Sequence, residues 1–178
     1  MTDQTANGTV YIRSTLDSDG RAACLLTWGT ITKLLTPEAA LTTARELTAA
    51  AAAAESDVAT IESFRATLKA DMRTIGLMVL DIRKRRPMPK GRPALRIASV
   101  AGVRTGKPLV HIALGSMKGE LDPDEARTMA LHWTQTAVAA QIDVRLRYAL
   151  GEWDKLTPTD IERLFAIVQR SDRGADRE

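Results

Sequence analysis

The chain has 178 residues, a formal net charge of +3 and one cysteine; that length allows one or two domains with a normal core and asks for no disulfide framework. Residues 1–9 carry a single charge, Asp3, and lack the basic flank and apolar stretch of a signal peptide, while the longest apolar runs, 49–54 and 77–80, fall far short of a bilayer span. A cytoplasmic protein without a membrane segment is expected, with Cys24, set in an apolar run, as a small buried thiol.

In chain order, residues 1–8 read as a flexible N-terminus and 9–86 as a first folded unit. Residues 10–14 form a strand candidate, followed by the turn signal Asp17-Ser18-Asp19-Gly20. Two apolar runs, 22–28 and 30–34, flank Gly29, which is a hairpin signal. Thr36, Pro37 and Glu38 then start a helix: a capping side chain, proline at the first helical position, and an acid to complement the helix N-terminus. Further on, Ile61, Leu68, Ile75 and Ile82 share one heptad position while Val58, Met72 and Val79 share another, a spacing that predicts one long helix over 57–85 with a narrow apolar seam.

A basic Pro/Gly linker is expected over 87–94. A second unit over 95–170 then repeats the order: strand 95–100, turn 102–106, strand 108–114, Gly115, strand 116–120, and a helix opened by Asp122, Pro123, Asp124 and Glu125. Leu156, Thr157, Pro158 and Asp160 predict a fresh helix near Pro158 that carries Ile161, Leu164, Phe165 and Val168, so the two units are expected to differ here. Residues 171–178 read as a flexible charged tail.

The two units align without gaps at a shift of 86 residues, with 15 identities over residues 20–75. These include Gly20/Gly106, Gly29/Gly115, Leu35/Leu121, Pro37/Pro123 and Asp57/Asp143. Alanine matches carry little weight in an Ala-rich chain, but the glycines and the Leu-x-Pro signature are informative. The expected fold class is α+β: a tandem duplication of a three-stranded antiparallel β-meander followed by helices, related by a pseudo-two-fold. A lone meander with one apolar face needs covering, either by its own helices or by the other copy.

Charge is distributed unevenly. Residues 82–119 contain no Asp or Glu but ten Lys or Arg, which leaves −7 for the remainder. Such a basic stretch is a natural landing site for a polyanion. Within it, Lys90-Gly91-Arg92-Pro93, preceded by Arg83, Lys84, Arg85 and Arg86 and followed by Arg96, resembles an AT-hook. The core there is Gly-Arg-Pro after a basic residue, although Lys90 stands where the strongest hooks carry arginine. The resemblance implies an extended segment that lays Arg92 along a narrow A·T minor groove, with glycine at closest approach and flanking cations on phosphates. The alternative is a solvated linker whose charge serves solubility.

Residues 10–54 and 95–140 also resemble the N-terminal oligomerisation domain of actinobacterial H-NS-like nucleoid proteins, and proteins of actinobacteria and their phages. That resemblance implies a pairing scaffold, since the C-terminal DNA-reading domain of those proteins has no counterpart here.

Catalytic and metal motifs are not found. Gly102-Val103-Arg104-Thr105-Gly106-Lys107-Pro108 is one residue short of a phosphate-binding loop and ends in proline. His111 and His132 have no cysteine or carboxylate at ligand spacing. No cofactor and no enzymatic activity are expected. None of the aromatic residues lies in the basic stretch, so duplex DNA is expected over single strands, which are usually held by stacking. Two functions follow. One is a DNA-binding regulatory or architectural protein using Arg83, Lys84, Arg85, Arg86, Lys90, Gly91, Arg92 and Arg96, with AT-rich duplex as the target. The other is a protein-interaction module of phage or plasmid origin that binds a host protein or oligomerises.

Overall fold

The structure is a computed structural model that describes residues 9–69, 71–86, 91–102, 106–151 and 156–175. The elements run β1 (Val10–Leu16), β2 (Ala22–Trp28), β3 (Ile31–Leu35), α1 (Pro37–Leu68), α2 (Met72–Arg85), β4 (Arg96–Ala101), β5 (Pro108–Leu114), β6 (Met117–Leu121), α3 (Pro123–Gly151) and α4 (Pro158–Ala175). The protein is a mixed α+β fold with two separate three-stranded antiparallel sheets, β1-β2-β3 and β4-β5-β6, and four helices among the described residues.

Strand alternation decides which face of each sheet is buried. In the first sheet Val10 and Ile12 pair with Trp28 and Leu26, and Cys24 pairs with Leu35, so these residues share the inner face. In the second, Ile97 pairs with Ile112 and Val110 with Leu121. Gly29 (φ +57°) and Gly115 (φ +58°) make the tight turns after β2 and β5, in a left-handed conformation that glycine adopts without steric cost. The link from β4 to β5 is one residue longer than that from β1 to β2. Ile97 is therefore the counterpart of Ile12 at a spacing of 85 residues, whereas Leu26 and Ile112 keep 86.

Each long helix starts where its sequence supplies a cap. The Thr36 hydroxyl accepts from the Ala39 amide (3.2 Å). Asp122 and Glu125 form a reciprocal capping box, with each carboxylate accepting from the other's backbone N–H (2.8 and 2.9 Å). The two helices pack along one another through buried alanines, Ala40, Ala44, Ala51 and Ala54 on α1 and Ala126, Ala130, Ala137 and Ala140 on α3. Small side chains let the axes approach, which suits the Ala-rich sequence. The sheets are covered by exchange: α1 lies chiefly on β4 and β5, and α3 chiefly on β1 and β2.

The resulting core joins both halves and is filled by Leu26, Trp28, Leu47, Leu95, Val110, Ile112 and Trp133. Cys24 is fully buried in it, and burial pushes its thiol up to about 11, which keeps it protonated. No described helix is long and apolar enough to cross a membrane.

The single helix expected over 57–85 is instead two. α1 ends at Leu68, Lys69 turns left-handed (φ +49°), and Asp71 caps α2 by accepting from the Arg73 and Thr74 amides (2.9 and 3.0 Å) and from the Thr74 hydroxyl (2.8 Å). The heptad spacing persists because α2 folds back on α1: Ile75 and Val79 are buried in that contact, while Leu68 is half exposed. α4 docks on α3 through Ile161 and Phe165. Met72 and Pro158, the first residues of α2 and α4, stand 86 residues apart, so the divergence expected at Pro158 is replaced by a break in both halves. Helix α4 also runs to Ala175, through most of the stretch expected to be a flexible tail. The expected flexible N-terminus, 1–8, lies outside the described residues.

Candidate nucleic-acid interface

The basic stretch does not form one continuous exposed strip. Asp57 on α1 is 1% exposed, and its two carboxylate oxygens are taken by two arginines of the stretch. Arg83 Nε donates to Oδ2 at 2.7 Å with Nη2 of the same guanidinium 2.7 Å from that oxygen, and Arg86 Nη2 donates to Oδ1 at 2.6 Å. A carboxylate held in this way by two guanidinium groups is strongly satisfied. Arg83 and Arg86 therefore fasten the end of α2 to α1, and about 30% of each side chain remains accessible. Arg85 is exposed and paired one helical turn back with Asp81 at 2.9 Å. Lys84 is exposed.

Downstream, Lys90 lies outside the described residues. Gly91 (φ +113°) sits directly on α1: a Cβ at this position would lie 2.9 Å from Thr42 Cγ2 and 3.3 Å from Thr42 Oγ1. Both the backbone conformation and the close approach require glycine. Three residues later the Ala94 amide donates to the buried Thr43 hydroxyl (2.7 Å), which itself donates to the Ala39 carbonyl (2.7 Å). Leu95 is buried in the core. The segment leading into β4 is thus docked against α1 at Gly91, Ala94 and Leu95, and Arg92 stays exposed between these anchors.

Strand register then brings together residues that are distant in sequence. Arg96 pairs with Ala113 and Ala113 with Lys118, so one row across the outer face of the second sheet reads Arg96–Ala113–Lys118. The neighbouring row is Ala98–His111–Glu120. Arg96, Lys118 and Glu120 are exposed. His111 Nε2 lies 2.9 Å from Glu120 Oε1, within ion-pair distance but without hydrogen-bond alignment. These two rows line a shallow depression of about 780 Å³.

Of the eight residues expected to meet DNA, Lys84, Arg92 and Arg96 are exposed with no ion pair among the described residues, Arg85 is exposed but paired, Arg83, Arg86 and Gly91 are used inside the fold, and Lys90 lies outside the described residues. Sequence reading missed that Lys118 joins Arg96. The signal was the alternation of β4 and β6, which becomes a shared row only once the register is fixed. Comparison with family models, with curated proteins and with solved structures finds no match.

Proposed function

We propose that the protein is a non-enzymatic, cytoplasmic DNA-binding protein built as a tandem duplication, with its two units related by an approximate two-fold. The duplication is supported by paired features. Left-handed glycines recur at Gly20/Gly106 and Gly29/Gly115, helices start at Pro37/Pro123, and buried alanines recur at Ala40/Ala126, Ala44/Ala130, Ala51/Ala137 and Ala54/Ala140. Across the proposed axis the contacts are reciprocal. A Cβ on Gly29 would meet Met117, and one on Gly115 would meet Ile31, the residue corresponding to Met117.

The observation that carries the DNA reading is the exposure of Lys84, Arg92 and Arg96 within a stretch that holds no carboxylate from residue 82 to 119. Phosphate contact by these cations requires no rearrangement. Minor-groove insertion in the manner of an AT-hook requires Gly91 to leave Thr42 and the Ala94 amide to leave Thr43, so phosphate binding is the primary mode and AT preference a secondary one.

A mobility-shift titration with AT-rich and GC-rich duplexes of equal length, at low and high salt, tests this. Binding that is present at low salt and weakens steeply with added salt is expected; no shift at low salt overturns it. Unchanged AT preference on Arg92→Ala removes the hook component alone.

A second reading, as a protein-interaction module binding a partner protein or itself, is favoured by one specific observation. Leu77 and Leu80 on α2, and Ile167 and Val168 on α4, are each more than half exposed. Leu77 and Leu80 stand about one turn apart on α2, so a single partner surface can cover both. Light scattering across a concentration series, with Leu77→Lys and Val168→Lys as variants, tests self-association.

A further inference from the structure

We infer that the DNA contact is centred on the outer face of the β4-β5-β6 sheet, which docks against the phosphate backbone of one duplex. The inference rests on the DNA reading above and says where on the molecule the contact is made.

Four observations carry it. First, Arg96 and Lys118 occupy one cross-strand row with only the methyl group of Ala113 between them. Strands spaced about 4.8 Å apart put their Cα atoms roughly 10 Å apart. Both side chains are long enough to converge on one phosphate or to reach neighbouring ones.

Second, the centre of the face is low. Ala98 and Ala113 line the depression with His111, and Ala113 lies between Arg96 and Lys118 in its row, so a rod-shaped partner can approach the sheet between the two cations. A row of bulky side chains would hold the duplex away.

Third, the corresponding face of the other sheet is chemically different. There the matching rows are Tyr11–Thr27–Thr32 and Arg13–Leu25–Leu34. A Tyr–Thr–Thr row stands where the second sheet has Arg–Ala–Lys, and an Arg–Leu–Leu row where it has Ala–His–Glu, so the two sheets are not equivalent DNA surfaces and one duplex per chain is expected.

Fourth, no Phe, Tyr or Trp side chain lies in the two rows that line the depression. Single strands are held by stacking as well as by charge, so the double helix is the partner that this face suits. The one carboxylate on the face, Glu120, lies next to His111 and opposes a phosphate. Its removal is therefore expected to strengthen binding, which a purely structural role for these residues does not predict.

The experiment is fluorescence anisotropy of the full-length protein with a labelled 20-base-pair duplex over a salt series. Variants are Arg96→Ala with Lys118→Ala, Lys118→Arg, Glu120→Gln, Arg13→Ala on the other sheet, and Lys84→Ala with Arg92→Ala outside it. Loss of two phosphate contacts is expected to weaken binding roughly tenfold or more at low salt, and to reduce the slope of log K against log salt by about 2.

Lys118→Arg keeps wild-type binding, Glu120→Gln binds roughly two- to threefold tighter, Arg13→Ala is unchanged, and a single strand of the same length binds more weakly. If wild type binds but the Arg96/Lys118 double variant retains its affinity and salt slope while the Lys84/Arg92 variant loses them, the contact belongs to the linker. The sheet assignment then fails and the DNA reading stands. If wild type does not bind duplex at low salt, both fail. Circular dichroism of each variant guards against misfolding; should the double variant misfold, Lys118→Ala against Lys118→Arg decides, and equal binding by those two overturns the assignment.

Discussion

The α1–α2 and α3–α4 hairpins have the same layout but are fastened by different chemistry. In the first, a buried carboxylate, Asp57, receives Arg83 and Arg86 from the end of α2. In the second, Arg147 on α3 lies 4.1 Å from the ring centroid of Phe165 and pairs with the exposed Glu162. Cations that add to the charge of a sequence are thus spent inside the fold in both hairpins. The difference is that the first uses two from the stretch that looks most like a DNA ligand, and so shifts the accessible positive charge toward Lys84, Arg92, Arg96 and Lys118.

If this comparison is right, the two hairpins should respond differently to loss of a carboxylate. The largest effect is expected in the second. Phe165 is 5% exposed and is the main apolar anchor of α4, so Phe165→Ala is expected to cost about 3 kcal/mol in the docking of α4. Glu162→Ala should cost about 0.5 kcal/mol or less, because an ion pair with one strongly exposed partner contributes little. Native-state amide exchange over residues 158–168 reads both. Equal effects from the two substitutions would show that charge, not the ring, holds this hairpin.

In the first hairpin a polar group matters beside the buried Ile75 and Val79. Removing Asp57 leaves two guanidinium groups that retain some access to solvent, so Asp57→Ala is expected to cost about 2 kcal/mol in the docking of α2, short of the penalty for stranding a fully buried charge. Fast amide exchange over 72–86, with 158–168 unaffected, is the expected signature. Asp57→Asn also releases Arg83 and Arg86 for phosphate. On the DNA reading it should raise both duplex affinity and salt dependence even as it loosens the fold; weaker binding would mean that the docked position of α2 itself matters for the contact.

What the sequence disclosed and what it hid divide along the range of the interactions involved. Gly20, Gly29 and Pro37, like Gly106, Gly115 and Pro123, act through the local backbone, so the order of strands and helix starts could be read from them. The end of α1 at Leu68 and the new start at Met72 were hidden because Ile61, Leu68, Ile75 and Ile82 keep heptad spacing straight through them; a spacing rule cannot distinguish a continuous helix from one folded back upon itself. The covering of each sheet by the helix of the other half was likewise invisible, since Ala44 and Ala130 suit a contact with either sheet. The Asp57–Arg83 pair joins residues 26 apart in sequence, and no local pattern separates Arg83, which turns inward to a carboxylate, from its neighbour Lys84, which is exposed.

The smallest expected effect tests what the hairpins share. In both α2 and α4 a carboxylate accepts hydrogen bonds at the helix start: Asp71 as the N-cap of α2, and Asp160, in the first turn of α4, from the amide and hydroxyl of Thr157. Asp71 is held below its ordinary value of 3.8 chiefly by the Thr74 hydroxyl, and Asp160 likewise by the Thr157 hydroxyl. Because the folded protein lowers both values, these caps contribute fully above pH 3.8 and are lost as the pH falls below it through the folded values. Acid titration of amide exchange should therefore show the first turns of α2 and α4 loosening together below pH 3.8, while the start of α1, capped by the non-titrating Thr36 hydroxyl, stays protected in the same window. If α2 loosens and α4 does not, the two hairpins differ at their starts as well as in what fastens them, because the Thr157 hydroxyl then holds the Asp160 amide without help from the carboxylate.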